Sequence, residues 1–268
     1  MCEPDRHPPD PDNAELIDAV RLSLVSGVGP RTRQKLLARF GTPGAVLAAA
    51  PSELRDVEGV GAKIMERIVA AGDEIDAEGQ IALCRQHGIA ILTENHPQYP
   101  RMLREIPDPP GLLFVRGEIT PADGLAIGIV GTRHASAYGL RQAERLAASL
   151  SRAGLTIISG LARGIDAAAH RATLAAGGRT LGILASGVLN IYPPEHDKLA
   201  DEVAARGALI SEQPPCSSPL AGTFPQRNRL ISGLTLGIIV VEAAERSGAL
   251  ITARHAMEQG RDVFTIAV

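Results

Sequence analysis

The chain has 268 residues, of which 45% are hydrophobic and 21% are charged, and this globular composition excludes an intrinsically disordered protein. No run approaches the roughly 18 consecutive apolar residues of a membrane span. The three cysteines, Cys2, Cys84 and Cys216, are too widely spaced for a disulfide framework or a paired-cysteine metal site. We therefore expect a cytoplasmic protein that uses no membrane, metal or cofactor.

The net charge of −3 is unevenly distributed along the chain. Residues 1–120 hold 13 basic and 18 acidic groups, whereas residues 121–268 hold 14 basic and 12 acidic groups. Only three of the 27 basic residues are lysines, so arginine supplies nearly all of the positive charge. Because the planar guanidinium matches phosphate oxygens and stacks on bases, nucleic acid stays open as a ligand of the second half of the chain.

The N-terminal third predicts a small helical domain. Residues 1–12 are rich in proline and are expected to be a disordered lead-in, and residues 13–88 show a helical pattern. In that pattern Gly27-Val28-Gly29 and Gly59-Val60-Gly61 each precede a helix, which resembles paired helix-hairpin-helix or SAM-like domains. Such hairpins either present backbone N–H groups to a DNA phosphate or only form tight turns that need glycine. Because the surrounding charge is acidic, we favour a docking or spacing role.

Residues 89–268 predict an α/β domain. Two short apolar runs, residues 89–92 and 112–115, are expected to extend the sheet that follows them. The next predicted strands are Leu125–Val130, Leu155–Ser159, Thr180–Ala185, Ala208–Ser211, Leu236–Val241 and Asp262–Val268. The helices between them are Tyr138–Arg152, Ile165–Ala176, Lys198–Arg206 and Leu250–Gln259. This alternation predicts a doubly wound, mainly parallel sheet, in which ligands bind beyond the carboxyl ends of the strands.

The first loop at that edge contains Gly131, Thr132 and Arg133 and opens a helix. Glycine allows close backbone approach, and a helix N-terminus with a nearby guanidinium favours an anion, so this loop predicts a phosphate cradle. The alternative is a glycine-rich turn with a solvated arginine. The GxGxxG spacing is missing and the next strand ends without a carboxylate, which argues against NAD binding.

The second loop places Gly160 and Gly164 on either side of Arg163. Asp166 follows in the first helical turn, and His170 lies one turn further on. An Asp–His pair could belong to a metal or acid–base site, but with no third ligand in the pattern we favour a structural, capping role.

Aromatic residues accompany the arginines of the later loops. Tyr192 either stacks on a base or anchors a proline-rich loop, and the sequence favours neither role over the other. Phe224 precedes Arg227, Asn228 and Arg229 on what is predicted to be a long loop, a combination suited to single-stranded nucleic acid. In the alternative reading the ring fills the loop and the arginines pair with Glu212 or Glu242.

The last predicted loop follows the most apolar strand. Glu242 ends that strand and either acts in catalysis or, as we favour, fixes the guanidinium groups. Ser247, Gly248 and Thr252 at the next helix start either donate to a phosphate or cap the helix. Together the loops predict one electropositive, aromatic edge that fits a nucleic-acid strand better than a small metabolite.

At these residues the chain resembles the DNA-processing protein A (DprA/Smf) family. The resemblance rests on an ordered series of motifs: Gly131–Arg133, Ile158–Asp166 with His170, Tyr192-Pro193, Ser211-Glu212, Phe224–Arg229, Val241–Ala243, Ser247–Ala253 and Gly260–Phe264. It implies a SAM-like helical domain followed by an extended Rossmann-like domain. It also implies a non-catalytic homodimer that binds and protects incoming single-stranded DNA in natural transformation and helps to load the RecA recombinase. In the family the Gly-Thr-Arg turn contacts DNA phosphate, and the positions of Phe224 and Arg227–Arg229 line the same groove.

Two other functions stay open from the sequence. A nucleotide-cleaving enzyme of the phosphoribohydrolase type could use Glu242 with Arg133, although the PGGxGT glycine run of such enzymes is missing. Alternatively, the helical residues 13–88 could bind the DNA while the α/β domain only dimerises.

Overall fold

The computed structural model describes residues 11–244 and 247–266. The chain divides into two compact units between Leu83 and Cys84, which is slightly earlier than the division predicted at Gly88. Most of the predicted lead-in lies outside the described residues. Pro11 and Asp12 already belong to the first helix, so the helical unit starts earlier than the sequence suggested. No helix of the described segments is long and apolar enough to cross a membrane.

The first unit is helical, as predicted. Its helices are α1 (Pro11–Leu24), α2 (Pro30–Phe40), α3 (Pro43–Leu47), α4 (Pro51–Arg55), α5 (Ala62–Glu74) and α6 (Ala77–Gln86), the last of which crosses the division. Leu22, Leu36, Leu54 and Ile68 form the centre of its apolar core. These side chains explain the cohesion of the unit, because burial of large aliphatic groups is the main favourable term in folding.

The two glycine hairpins have nearly the same backbone conformation. Gly27 and Gly59 adopt φ of 96° and 92°, in the region that favours glycine. Gly29 and Gly61 precede α2 and α5 with φ of −79° and −80° and ψ of 174° in both. The repeat in the sequence is therefore a repeat in structure.

In the described part of the second unit, eight strands form one sheet in the order β1-β2-β6-β5-β4-β3-β7-β8. The strands are β1 (Ile89–Thr93), β2 (Leu112–Gly117), β3 (Ala126–Gly131), β4 (Thr156–Ser159), β5 (Thr180–Ile183), β6 (Ala208–Ser211), β7 (Gly237–Val241) and β8 (Asp262–Thr265). The six strands from β3 to β8 are parallel, and β1 and β2 add an antiparallel edge next to β6. The predicted fold class is confirmed, including the sheet extension by the two early apolar runs.

Helices cover both faces of this sheet. They are α7 (Arg101–Arg104), α8 (Ala137–Arg152), α9 (Ile165–Ala175), α10 (Asp197–Arg206), α11 (Thr223–Gly233) and α12 (Gly248–Glu258). On one face α11 and α12 contribute Leu230, Ile231 and Ala253 to the apolar core. On the opposite face α8 and α9 contribute Ala143, Ala147 and Ala169. The small alanine side chains allow close helix packing in a chain with few aromatic residues.

Helix α11 corrects the sequence analysis, which predicted a loop around Phe224–Arg229. Pro225 occupies the first turn of α11, where its missing N–H group costs no intrahelical hydrogen bond. Three consecutive polar residues of this helix, Arg227, Asn228 and Arg229, are buried. A proline followed by charged residues therefore indicated a loop where the chain forms a buried helix.

The order of the strands reverses between β3 and β7, since β4, β5 and β6 lie on one side of β3 and β8 lies beyond β7. Parallel open sheets form their ligand crevice at such a switch point, beyond the carboxyl ends of the strands. Here the crevice is bordered by the segment after β3, which leads into α8, and by the segment after β7, which leads into α12.

Candidate nucleic-acid interface

A cleft of about 280 Å³ opens at the switch point. Its lining includes Gly131, Thr132, Arg133, Asp166, Phe224, Arg227, Asn228, Ser247, Gly248 and Thr252. A smaller pocket continues from it and shares Arg133, Phe224 and Arg227 with the cleft. That pocket adds Gly160, Arg163 and Tyr192. The structure thus brings together all the predicted contact residues except Gly164 and Arg229, and we call the two depressions together the switch-point groove.

The loop from Gly131 to Ser136 is fixed by Glu242. The Thr132 N–H donates to the Glu242 carbonyl (2.8 Å), and the Ser136 N–H and hydroxyl donate to Glu242 Oε2 (3.0 and 2.8 Å). The Ser136 hydroxyl also accepts from Gly139 N (3.0 Å), which caps α8. The sequence analysis favoured Glu242 as the group that fixes the guanidinium groups, but the hydrogen bonds of the described residues join its carboxylate to Ser136 and not to an arginine. In the described segments the carboxylate of Glu242 instead holds Ser136, at the end of the loop between β3 and α8.

The rim of the groove carries a cation and two rings in contact. The Arg133 guanidinium lies 5.2 Å from the centroid of the Phe224 ring, within the range of a cation–π interaction. The Tyr192 ring meets Phe224 edge-on, with centroids 5.8 Å apart and an angle of 68°. Arg133 and Tyr192 are exposed and Phe224 is half-buried. The rim therefore offers a positive charge and ring surface side by side.

Arg227 forms the floor shared by both depressions. Its guanidinium donates to the carbonyl groups of Gly160 (2.6 Å) and Ile183, at the ends of β4 and β5. Burial lowers the pKa of Arg227 to about 10, although the nearby Asp166 opposes this shift, so the group is a cation at neutral pH. A Cβ atom at position 160 would lie 2.2 Å from Arg227 Nη1, so only glycine fits there. Arg227 is a buried, fixed cation and not the exposed loop residue that the sequence indicated.

Arg229 does not face the groove. It is 4% exposed, and its Nη2 donates to both carboxylate oxygens of Glu212 (2.5 and 2.6 Å) while Nη1 donates to Asp108 O (2.6 Å). The prediction that Arg229 contacts nucleic acid is therefore replaced by the alternative pairing with Glu212. Asn228, in contrast, lines the groove and donates from Nδ2 to Gly248 O (3.1 Å), which joins α11 to the start of α12.

Asp166 and His170 do not form a joint site. The buried Asp166 carboxylate accepts from the N–H groups of Gly160 (3.0 Å) and Ala162 (3.4 Å), and burial raises its pKa in spite of Arg227. His170 is fully buried, with Nδ1 2.7 Å from Thr180 Oγ1. Asp166 thus holds the backbone after β4 beside the groove, whereas His170 contacts Thr180 at the start of β5, away from the carboxyl edge of the sheet. No group of three metal-ligating side chains occurs among the described residues.

The remaining candidates lie at helix starts. Gly164 precedes α9 with φ of 72°, and a Cβ atom there would lie 2.3 Å from Thr132 O, so glycine lets α9 pack against the first loop. Ser247 precedes α12 and makes no side-chain cap, which leaves the first N–H groups of that helix next to the groove. The Thr252 hydroxyl donates within the helix to Gly248 O (3.3 Å).

Sequence reasoning missed two residues of this region. Ser136 anchors the first loop, and its position three residues before Gly139 is the usual signal of a helix cap. Glu195 accepts a hydrogen bond from Arg163 Nε (2.5 Å), and nothing in the sequence pairs the two positions. Backbone strain also gathers here, because Leu161 and Glu242 adopt φ of 55° and 54°, which L-residues rarely do.

The Arg229–Glu212 pair leads to a stability prediction. Arg229→Ala leaves the Glu212 carboxylate without its main partner and should lower the free energy of unfolding by about 3–5 kcal/mol. Urea denaturation measures this, with Arg141→Ala on the exposed side of α8 as the control, expected to change stability by less than about 0.5 kcal/mol. Equal losses in the two variants would contradict a structural role for Arg229.

His170 leads to a prediction about pH. Burial lowers the pKa of His170 from 6.5 to about 3, so the folded protein keeps this ring neutral while the unfolded chain takes up a proton below pH 6.5. Stability should therefore fall as the pH drops below 6.5, and His170 should contribute about 2 kcal/mol of that loss between pH 7 and pH 5. Urea denaturation at both pH values should show a smaller loss for His170→Gln. The same loss in both proteins would contradict the assignment.

Comparison with known proteins agrees with this architecture. A family model described as DNA recombination-mediator protein A matches residues 90–268, and one described as a SAM-like helix-hairpin-helix tandem matches residues 20–71. The chain is 39% identical over 258 residues to Protein Smf of Synechocystis sp. PCC 6803, covering 95% of this chain and 65% of the relative. It is 47% identical over 187 residues to DNA processing protein DprA of Bacillus subtilis, covering 69% and 63%. The chain thus spans a little under two thirds of these relatives' lengths.

Two solved structures are also similar. DNA processing protein A of Streptococcus pneumoniae superposes with a TM-score of 0.77 at 34% identity, covering 94% of this chain and 86% of that one. The Helicobacter pylori protein, described with a unique single-stranded DNA binding mode, gives 0.62 at 29% identity, covering 67% and 81%. With the α/β unit matched by the family model almost from end to end, the chain belongs to the DprA/Smf family, the DNA recombination-mediator protein A family.

Proposed function

We propose that the switch-point groove binds single-stranded DNA without catalysing a reaction. The observation that carries this proposal is the rim formed by Arg133, Phe224 and Tyr192. The Arg133 guanidinium lies 5.2 Å from the Phe224 ring centroid, and the centroids of the Phe224 and Tyr192 rings are 5.8 Å apart. Bases stack on aromatic rings without regard to sequence, and guanidinium groups follow the phosphates. The Helicobacter pylori relative, described as binding single-stranded DNA, supports the same ligand here.

In this proposal phosphates lie on the first loop and on the start of α12. The loop from Gly131 to Arg133 approaches a ligand closely, Ser247 and Gly248 add backbone donors, and the buried charge of Arg227 supports them from below. Arg163 and Tyr192 extend the path along the smaller pocket. Asn228 and Thr252 shape the wall, because both already bond to Gly248.

The alternative, a nucleotide-cleaving enzyme, depends on a free carboxylate at Glu242. Here that carboxylate accepts from Ser136 N and from the Ser136 hydroxyl, and its backbone carbonyl accepts from Thr132. A group committed to holding a loop is poorly placed to attack or protonate a substrate. This supports a binding role over hydrolysis of a nucleoside monophosphate.

We also propose that the helical unit serves as a docking or spacing module and that DNA binds to the α/β unit, with 13–88 and 89–268 as the functional division. Two cations of α2 are already paired with acids near the second hairpin, Lys35 with Glu58 (2.9 Å) and Arg39 with Asp56 (3.3 Å). These ion pairs reduce the positive charge available to a phosphate at the hairpins.

For the complete protein we propose a cytoplasmic homodimer that protects incoming single-stranded DNA in natural transformation and helps to load RecA. Membership of the recombination-mediator family supports this role. For self-association we propose the surface formed by α12 and β8, the last strand of the sheet order. Met257 and Phe264 are 65% and 51% exposed there, and such apolar groups beside an edge strand are typical of an interface.

DNA binding is tested by titrating fluorescent oligodeoxythymidine with the protein at two salt concentrations. The binding constant of the wild type should fall by roughly 0.7 log units per log unit of salt concentration for each phosphate neutralised. Arg133→Ala should bind about tenfold more weakly and show a shallower salt slope. The controls are Arg31→Ala and Lys63→Ala, two exposed cations next to the hairpins of the helical unit. If these controls lose binding while Arg133→Ala does not, the helical unit is the DNA-binding part.

Release of a free base from a nucleoside monophosphate, lost in Glu242→Ala, would instead establish the enzyme.

The proposed dimer surface is tested by sedimentation analysis. Phe264→Arg and Met257→Arg should convert a dimer into a monomer, because each places a charge in an apolar contact. Leu220→Arg, at a residue 66% exposed in the loop before α11, is the matched control and should stay dimeric. If all three variants stay dimeric, the interface does not lie on the surface formed by α12 and β8.

A further inference from the structure

Arg163, at the smaller pocket of the groove, already has an anionic partner within the protein. Its Nε donates to Glu195 Oε1 at 2.5 Å. Both side chains face water, with exposed fractions of 47% for Arg163 and 51% for Glu195. The same guanidinium lines the pocket together with Tyr192 and Phe224, along the proposed path of the DNA strand. The Glu195 carboxylate thus pairs with the Arg163 guanidinium, which a DNA phosphate would otherwise contact.

The position of this carboxylate is built into the fold. Glu195 lies in a short 3-10 turn, Pro194–His196, that follows Tyr192. The buried His196 fixes this turn to the segment before Arg163, because its Nδ1 lies 2.8 Å from Leu161 O. The hydrogen bond from Arg163 also lowers the pKa of Glu195, so the carboxylate stays ionised at neutral pH. The backbone segments that carry Arg163 and Glu195 are therefore held next to each other, while the two side chains remain exposed.

We propose that Glu195 competes with DNA phosphate for Arg163 and thereby lowers the affinity of the groove for DNA. This inference rests on the proposed function of the groove. An exposed ion pair is weak, because water and salt screen it, so a phosphate oxygen on a strand already held at Arg133 can displace the carboxylate. Arg163 then contributes to strands that are anchored elsewhere in the groove and contributes little to isolated anions.

The opposite role is also physically reasonable and makes the test decisive. Glu195 could orient the guanidinium so that its free N–H groups point at a phosphate, as a positioning residue does. A competitor must weaken DNA binding, whereas a positioning residue must strengthen it. The sign of the change on removing the charge separates the two.

The experiment compares wild type, Glu195→Gln, Arg163→Ala and the double variant in titrations with oligodeoxythymidine at fixed salt. Glu195→Gln should bind about three- to tenfold more tightly, since the amide keeps the shape but no longer competes as an anion. In the Arg163→Ala background the same substitution should change binding by less than about twofold. Glu202→Gln, an exposed acid of α10, is the matched control for charge and should leave the affinity within about twofold of wild type.

Unchanged or weaker binding by Glu195→Gln overturns the inference, with thermal unfolding used to show that the variant is folded. A gain that persists without Arg163, or that appears equally in Glu202→Gln, also overturns it, because the effect would then be general charge repulsion. Absence of oligonucleotide binding by wild type itself would refute the proposed function, a result distinct from the others.

Discussion

The edge of the sheet proposed to bind DNA depends on one buried cation, Arg227. Arg227 ties together the ends of β4 and β5 through the carbonyl groups of Gly160 and Ile183, and Asp166 provides the nearby negative charge. Desolvation of a guanidinium is costly unless its N–H groups are bonded, so the two bonds from Nη1 offset part of this cost and favour the observed position of the two strand ends. The loops after β4 and β5, which border the groove, begin at these fixed strand ends.

Polar contacts across the switch point also fix the surface loops of the groove. Glu242 at the end of β7 holds the loop after β3, and Asn228 of α11 holds the start of α12. A site held in this way keeps its donors and its rings in place before a ligand arrives, which lowers the entropic cost of binding. Loops held in this way around an exposed Arg133 agree with the proposed binding of a flexible nucleic-acid strand.

The sequence predicted the sheet well and the buried polar residues poorly. Parallel strands are runs of Ile, Val and Leu, so β6 was predicted with the bounds it has, Ala208–Ser211. Helix α11 was missed because Pro225 and the Arg-rich stretch indicate a loop. The pairing of Arg229 with Glu212 was among the alternatives, but no feature of the sequence was a reason to prefer it. Arg229 pairs with Glu212 in another segment, and Arg227 bonds to Gly160 across 67 positions. Contacts of this kind leave no local periodicity, so a single sequence identifies the groove residues but not which of them face solvent.

The most direct test of the account is to map the DNA on the protein by amide chemical shifts during titration with oligodeoxythymidine. The account predicts that the large shifts cluster at residues 131–136, 160–164, 192–195 and 247–249, and that they are absent from the hairpins at residues 27–29 and 59–61. Large shifts confined to those two hairpins, with residues 131–136 unchanged, would contradict it.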